Sequence, residues 1–234
     1  MGGQACVFYG AAQFSRDTDL AIVADAANLG RLRRAFEDLR AQVIAVPPFA
    51  LSFLRRGHAI HFRCYHPDAM KMRVDIMSSM RGVDAFPKLW KRRTSIETSE
   101  GIQIDLLSLP DLVRAKKTQR NKDWPMIQRL VEVLYFENRD DPNPSQIRFC
   151  LLELRTPELL VEVAGRFPSA CQRLVPSRRL LTYAARGDLK NLAIALFEEE
   201  TREREKDTRY WLPLRSELEK LRRARLRKQN QNEN

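Results

Sequence analysis

The sequence is poor in most of the features that mark specialised protein classes. Glycine occurs nine times in 234 residues, with no glycine-rich tract and no internal repeat, so collagen-like and low-complexity chains are excluded. The four cysteines, Cys6, Cys64, Cys150 and Cys171, show no paired short spacing. That pattern gives no disulfide framework and points to buried, reduced thiols. No apolar run approaches the roughly 20 residues that a membrane-spanning helix needs. The opening Met-Gly-Gly-Gln-Ala-Cys lacks the basic stretch and apolar core of a secretion signal. The expectation is therefore a cytoplasmic chain with no membrane partner.

What is present suits a globular protein: 44% apolar and 30% charged residues. The net charge of +11 is unevenly placed. Residues 1–140 carry 22 basic and 16 acidic side chains, residues 141–219 carry 13 of each, and residues 220–234 carry six and one. Nearly half of the excess thus sits at the end of the chain, where a polyanionic partner such as RNA is one reading and a solvated helix end is the other.

Periodicity divides the chain into a mixed part and a helical part. Residues 18–23 form a short apolar run behind an acidic pair, which predicts a buried strand. Leu29, Leu32, Phe36 and Leu39 are spaced as one face of a helix. Residues 58–64 and 70–77 read as strands joined by a turn at 65–68, and 102–107 as another strand. Helices are predicted over 83–91, 111–118 and 124–136. The segment 138–145, rich in Asn, Asp and Pro, is the expected boundary. Beyond it the pattern is helical over 145–154, 157–167, 174–185, 189–204 and 214–227. The expected organisation is an α+β domain over 1–140, an all-helical region over 145–228, and a disordered tail over 229–234.

The chemistry-bearing feature is Asp17-Thr18-Asp19 at the head of the first strand. Residues two apart on a strand leave the same face, so both carboxylates project together and repel. A divalent cation is the simplest compensation, and carboxylate oxygens suit Mg²⁺. A third carboxylate, Asp75, interrupts the apolar strand Met72-Arg-Val-Asp-Ile-Met77, a costly place unless it is paired or binds metal.

Gly2-Gly3-Gln4-Ala5, a short helix ending in Tyr9-Gly10, Ser15 before Asp17-x-Asp19, and Asp75 together resemble the DNA polymerase β superfamily of nucleotidyltransferases. Within it the chain is most similar to bacterial proteins related to the abortive-infection (AbiEii-like) nucleotidyltransferases. The block Leu109-Pro-Asp-Leu-Val-Arg-Ala-Lys-Lys-Thr-Gln-Arg-Asn-Lys-Asp123 is similar to that group's Leu-Pro-x-Leu, helix lysine, arginine and aspartate. The resemblance covers about residues 2–135. It implies a nucleotidyltransferase fold, a short mixed sheet flanked by helices, followed by an all-helical region. It also implies NTP as substrate, Mg²⁺ or Mn²⁺ as cofactor, and tRNA, other RNA or a protein as acceptor, in a toxin–antitoxin or phage-defence setting.

Carried onto this sequence, the resemblance makes Asp17, Asp19 and Asp75 metal ligands and catalytic acids, and Lys116 a triphosphate contact. Gly2, Gly3, Ser15, Lys117, Arg120 and Asp123 become further nucleotide-binding positions. The Lys116–Arg120 spacing is one residue short of the group's pattern, which leaves open whether Lys116 or Lys117 faces the site. Family members also have a helix and a strand ahead of the Gly-Gly motif, where this sequence has only Met1; the expectation is a start upstream or a missing strand.

Plainer readings stand beside these. Lys116 and Lys117 could belong to a solvated helix face, and Asp123 could serve as a helix N-cap. Lys88, Lys91, Arg92 and Arg93 could guide a polyanion or be an ordinary surface. His58, His61, Cys64 and His66 suggest a zinc site, but if 58–64 is a strand His58 and Cys64 face one side and His61 the other, which argues against convergence on one ion. The rival function is a catalytically inactive protein of the same fold that binds RNA or a partner.

Overall fold

The computed structural model describes residues 1–232, and Glu233 and Asn234 lie outside the described residues. The elements are α1 (Gly2–Phe8), β1 (Asp17–Ala21), α2 (Ala26–Asp38), β2 (Gln42–Val43), α3 (Leu51–Arg55), β3 (Ile60–Arg63) and β4 (Arg73–Met77). These are followed by α4 (Phe86–Lys91), β5 (Thr94–Glu97), β6 (Gln103–Leu106), α5 (Leu109–Lys116) and α6 (Asp123–Glu137). The chain ends with α7 (Pro144–Glu153), α8 (Pro157–Arg166), α9 (Pro168–Leu174), α10 (Leu181–Ala185) and α11 (Leu189–Asn232). The class is α+β, with a small mixed sheet, a separate two-stranded sheet and a C-terminal helical region.

The main sheet has the order β1-β4-β3-β2. Strand β1 runs parallel to β4, while β3 is antiparallel to both β4 and β2. Alternation along β3 and β4 sends Ile60, Phe62, Val74 and Ile76 to one face, where they join Leu29 and Phe36 of α2 and Leu54 of α3 in the core. Helix α2 starts where Asp25 accepts a hydrogen bond from the Asn28 backbone N–H at 2.7 Å, satisfying a donor with no partner inside the helix. Phe36 stacks on Phe62 with ring centroids 4.1 Å apart, fixing helix against sheet. The other face carries Asp17, Asp19, Arg73, Asp75, His61 and Arg63.

The chain divides into two compact units. One contains 1–8, 12–115 and 208–234; the other contains 9–11 and 116–207. The division thus falls at 115/116 rather than at the Asn- and Pro-rich segment 138–145. That segment connects α6 to α7 within the second unit, and Asn143 caps α7 through a reciprocal bond with Gln146.

The helical part departs from its periodicity in two places. The expected helix over 174–185 is a turn over 175–180, containing Pro176, followed by the short α10, while α9 lies ahead of it over Pro168–Leu174. Pro176 cannot supply an N–H to a continuing helix, and the buried Arg178 beyond it donates to the carbonyls of Leu151 and Leu154. The two helices expected over 189–204 and 214–227 are one helix of 44 residues that continues through Pro213. It reaches Asn232, across most of the stretch expected as a tail; the rest of that expectation lies outside the described residues. Short elements with little periodicity, α3, β2 and β5, are additions to the pattern read from sequence. All four cysteines are free and buried, as expected.

Candidate active site

The polar face of the main sheet gathers the acidic residues of two strands. In the β1–β4 register Asp17 lies beside Arg73, and Asp19 beside Asp75. In the β3–β4 register His61 lies beside Asp75, and Arg63 beside Arg73. Residues in register share a face, so Asp19, Asp75 and His61 form one row and Asp17, Arg73 and Arg63 the next.

Within these rows Asp75 is buried and fully engaged. Arg73 donates from Nε to Oδ1 and from Nη2 to Oδ2, both at 2.9 Å. His61 Nδ1 stands 2.9 Å from Asp75 Oδ1 and 3.1 Å from Arg73 Nη2. With its proton on Nδ1 the imidazole donates to Asp75; with the proton on Nε2 it accepts from Arg73. Burial pushes the Asp75 carboxyl up, but the hydrogen bonds from His61 and Arg73 outweigh it and hold the group below its ordinary range. The bond to Asp75 raises Arg73 in turn, against burial, and the charges of Asp75, Asp17 and Asp19 add to that rise.

Beside this face the start of the chain approaches closely. Gly2 has φ +69°, and a Cβ there would overlap the Asp19 carboxylate. A Cβ on Gly3 would overlap Ser15 Oγ. Ser15 Oγ donates to the Asp17 carbonyl at 3.0 Å, and Gln4 Nε2 donates to the Ser15 carbonyl at 3.3 Å. The two glycines, Ser15 and the Asp17–Asp19 pair are therefore one local arrangement, in which any side chain at Gly2 displaces Asp19.

The later basic–acidic block belongs to the second unit and forms its own cluster. Asp123 is buried and receives Thr118 Oγ1 at 2.5 Å, Arg120 Nε at 2.8 Å and Lys116 Nζ at 3.3 Å. Burial raises its carboxyl, and the Lys116 charge with these hydrogen bonds more than reverses that, leaving it below the ordinary range. The cap position of α6 is Lys122, with no side-chain cap bond. The N-cap reading of Asp123 is thus corrected: its oxygens take side chains of the preceding turn. Lys117 pairs with Glu153 at 2.6 Å, so neither lysine lies on a solvated face. Both amines already serve carboxylates of this chain.

Of the basic cluster around α4, Arg92 is structural. It donates from Nε and Nη2 to the buried Asp111 at 2.5 and 2.8 Å, and from Nη2 to Asp84 at 2.7 Å. Arg93 lies over the Trp90 ring at 4.0 Å and bonds Asp105. His58 is buried with Nε2 2.7 Å from Glu217, whereas His61 meets Asp75.

Arg73 and His61 were missed as site residues. Arg73 was legible from its i−2 position to Asp75 on one strand. His61 required the β3–β4 register, which periodicity does not supply.

The divalent ion implied by the resemblance fits these residues in part. Asp17 and Asp19 leave one face with hard oxygen donors, next to a cradle that a Cβ would fill. Asp75 is taken by Arg73 and His61. Among the described residues no group of three or more His, Cys, Asp or Glu side chains is arranged to hold a metal. No known family model and no curated protein sequence matches this chain.

Proposed function

We propose that the protein is a nucleotidyltransferase of the DNA polymerase β superfamily, moving a nucleoside monophosphate from an NTP to a hydroxyl acceptor on RNA or protein. The observation that carries the reading is the register of Asp19 beside Asp75, with Gly2 pressed against Asp19. A nucleotidyl-transfer site needs carboxylates converging from neighbouring strands and a backbone stripped of side chains where phosphates approach. Asp17 and Asp19 are the side chains that would hold Mg²⁺ or Mn²⁺. Lys116, Lys117, Arg120 and Asp123 are the proposed nucleotide-binding positions of the second unit; Lys116 and Lys117 would have to exchange a carboxylate partner for phosphate. A phage-defence or toxin–antitoxin setting follows from the resemblance alone.

The test is transfer of label from each NTP in turn, with Mg²⁺, onto total RNA and onto protein. Asp17→Ala is expected to lower labelling about a hundredfold or more. Labelling that is absent from both acceptors, or equal in wild type and variant, would sink the enzyme reading.

A second reading has a specific observation in its favour. Asp75 is already neutralised by Arg73, as an inactive binding protein of this fold would permit. Its mark is RNA binding that falls with salt and is indifferent to Asp17→Ala.

A further inference from the structure

The sharpest mismatch between these residues and a carboxylate-bound metal site is Arg73. Its planar fork meets both oxygens of Asp75 at 2.9 Å, a two-point match that a lysine cannot make. Strand geometry holds the pair in place, because residues 73 and 75 leave the same face of β4. The same register sets Arg73 beside Asp17, and its charge acts on Asp17 and Asp19 as well as on Asp75. His61 closes the third side at 3.1 Å from Nη2 and 2.9 Å from Asp75. A cation entering at Asp75 meets a guanidinium already bound to both oxygens and repelling it.

We infer that Arg73 is the built-in cation of this carboxylate face, holding Asp75 out of reach of a divalent ion until the guanidinium is displaced. The inference rests on the proposed reading of the face as a nucleotidyl-transfer site. Arg73 is on this account a positioning residue that keeps Asp75 from a divalent ion.

The experiment is Mn²⁺ binding to the full chain, read from the free-ion paramagnetic resonance signal, with folding checked by circular dichroism. Arg73→Gln is expected to bind Mn²⁺ about tenfold more tightly than wild type, the scale of one charged hydrogen-bonded pair. Adding Asp75→Asn to that variant is expected to cancel the gain, since the freed carboxylate is its source. If Arg73→Gln does not fold, Arg73→Lys carries the same test with an expected gain of about threefold, because the point charge gives up the two-point match. Unchanged affinity, or a gain that survives Asp75→Asn, overturns the inference. NTP labelling separates the two ideas: transfer without the Mn²⁺ gain removes the inference alone, and the gain without transfer removes the enzyme reading alone.

Discussion

His58 and Glu217 are 159 residues apart in sequence and 2.7 Å apart in the fold. The imidazole is buried on the loop before β3, and the carboxylate comes from the C-terminal half of α11. Arg56 Nη2 reaches the other carboxylate oxygen at 2.8 Å. Tyr210 and Leu214 pack where a Cβ on Gly57 would go. The C-terminal part of α11 is thereby fastened to the segment before β3 through Tyr210, Leu214 and Glu217. Glu217 is held below its ordinary range, first by the His58 hydrogen bond and then by the Arg56 charge.

Glu217→Ala leaves His58 Nε2 without its acceptor, in a ring whose Nδ1 already lacks a partner. A buried polar group stranded in this way costs about 1–3 kcal/mol. The expected result is a lower urea midpoint, with trypsin cutting the arginine-rich end of α11 sooner. Glu217→Gln, which keeps an acceptor oxygen, is expected to recover most of the loss. Equal midpoints for wild type and Glu217→Ala would show that the clasp contributes nothing.

Gly3→Ala and Ser15→Gly form a double-mutant test of the glycine turn. Gly3→Ala alone forces its methyl onto Ser15 and is expected to destabilise by about 1–3 kcal/mol. Ser15→Gly in the same chain removes the obstructing side chain, so the two changes together are expected to cost less than their sum by about 1 kcal/mol. Additive effects in thermal melts would mean that the two residues do not meet.

Acid is expected to unfold the protein through Asp75 and Asp123. Both carboxyls lie below the ordinary value of 3.8, so in that range the unfolded chain binds more protons than the folded one. Their contribution is complete above that value and is lost as pH falls through the lower folded values. Urea midpoints from about pH 5 down to about pH 2 are expected to fall continuously. Asp123→Asn starts from a lower midpoint and shows a shallower fall. A slope identical to that of wild type would exclude Asp123 from the acid response.

Some elements were legible in the sequence because their cause is local. The spacing of Leu29, Leu32, Phe36 and Leu39 produces α2 whatever it packs against, and Ile60/Phe62 with Val74/Ile76 show the two-residue period of half-buried strands. The same period placed Asp17 and Asp19 on one face. Elements set by packing were not legible. Nothing local in Thr94–Glu97 distinguishes β5 from a loop, and its pairing with β6 makes it a strand. Periodicity broke off at 204 and resumed at 214, but one helix continues across that gap and through Pro213.

The residue pattern alone settled the α+β class, the carboxylate pair on β1 and the free thiols, since these depend on composition and on neighbours one or two residues away. Which residues surround that pair depended on tertiary structure. Register between strands decided that Asp75 stands beside Asp19 and that Arg73 and His61 close around it. Chain folding likewise turned Lys116 and Asp123 toward each other. The physical reason is charge. An isolated Asp or Lys in a sequence carries no partner with it, and its partner is chosen when burial makes an unpaired charge too costly to keep.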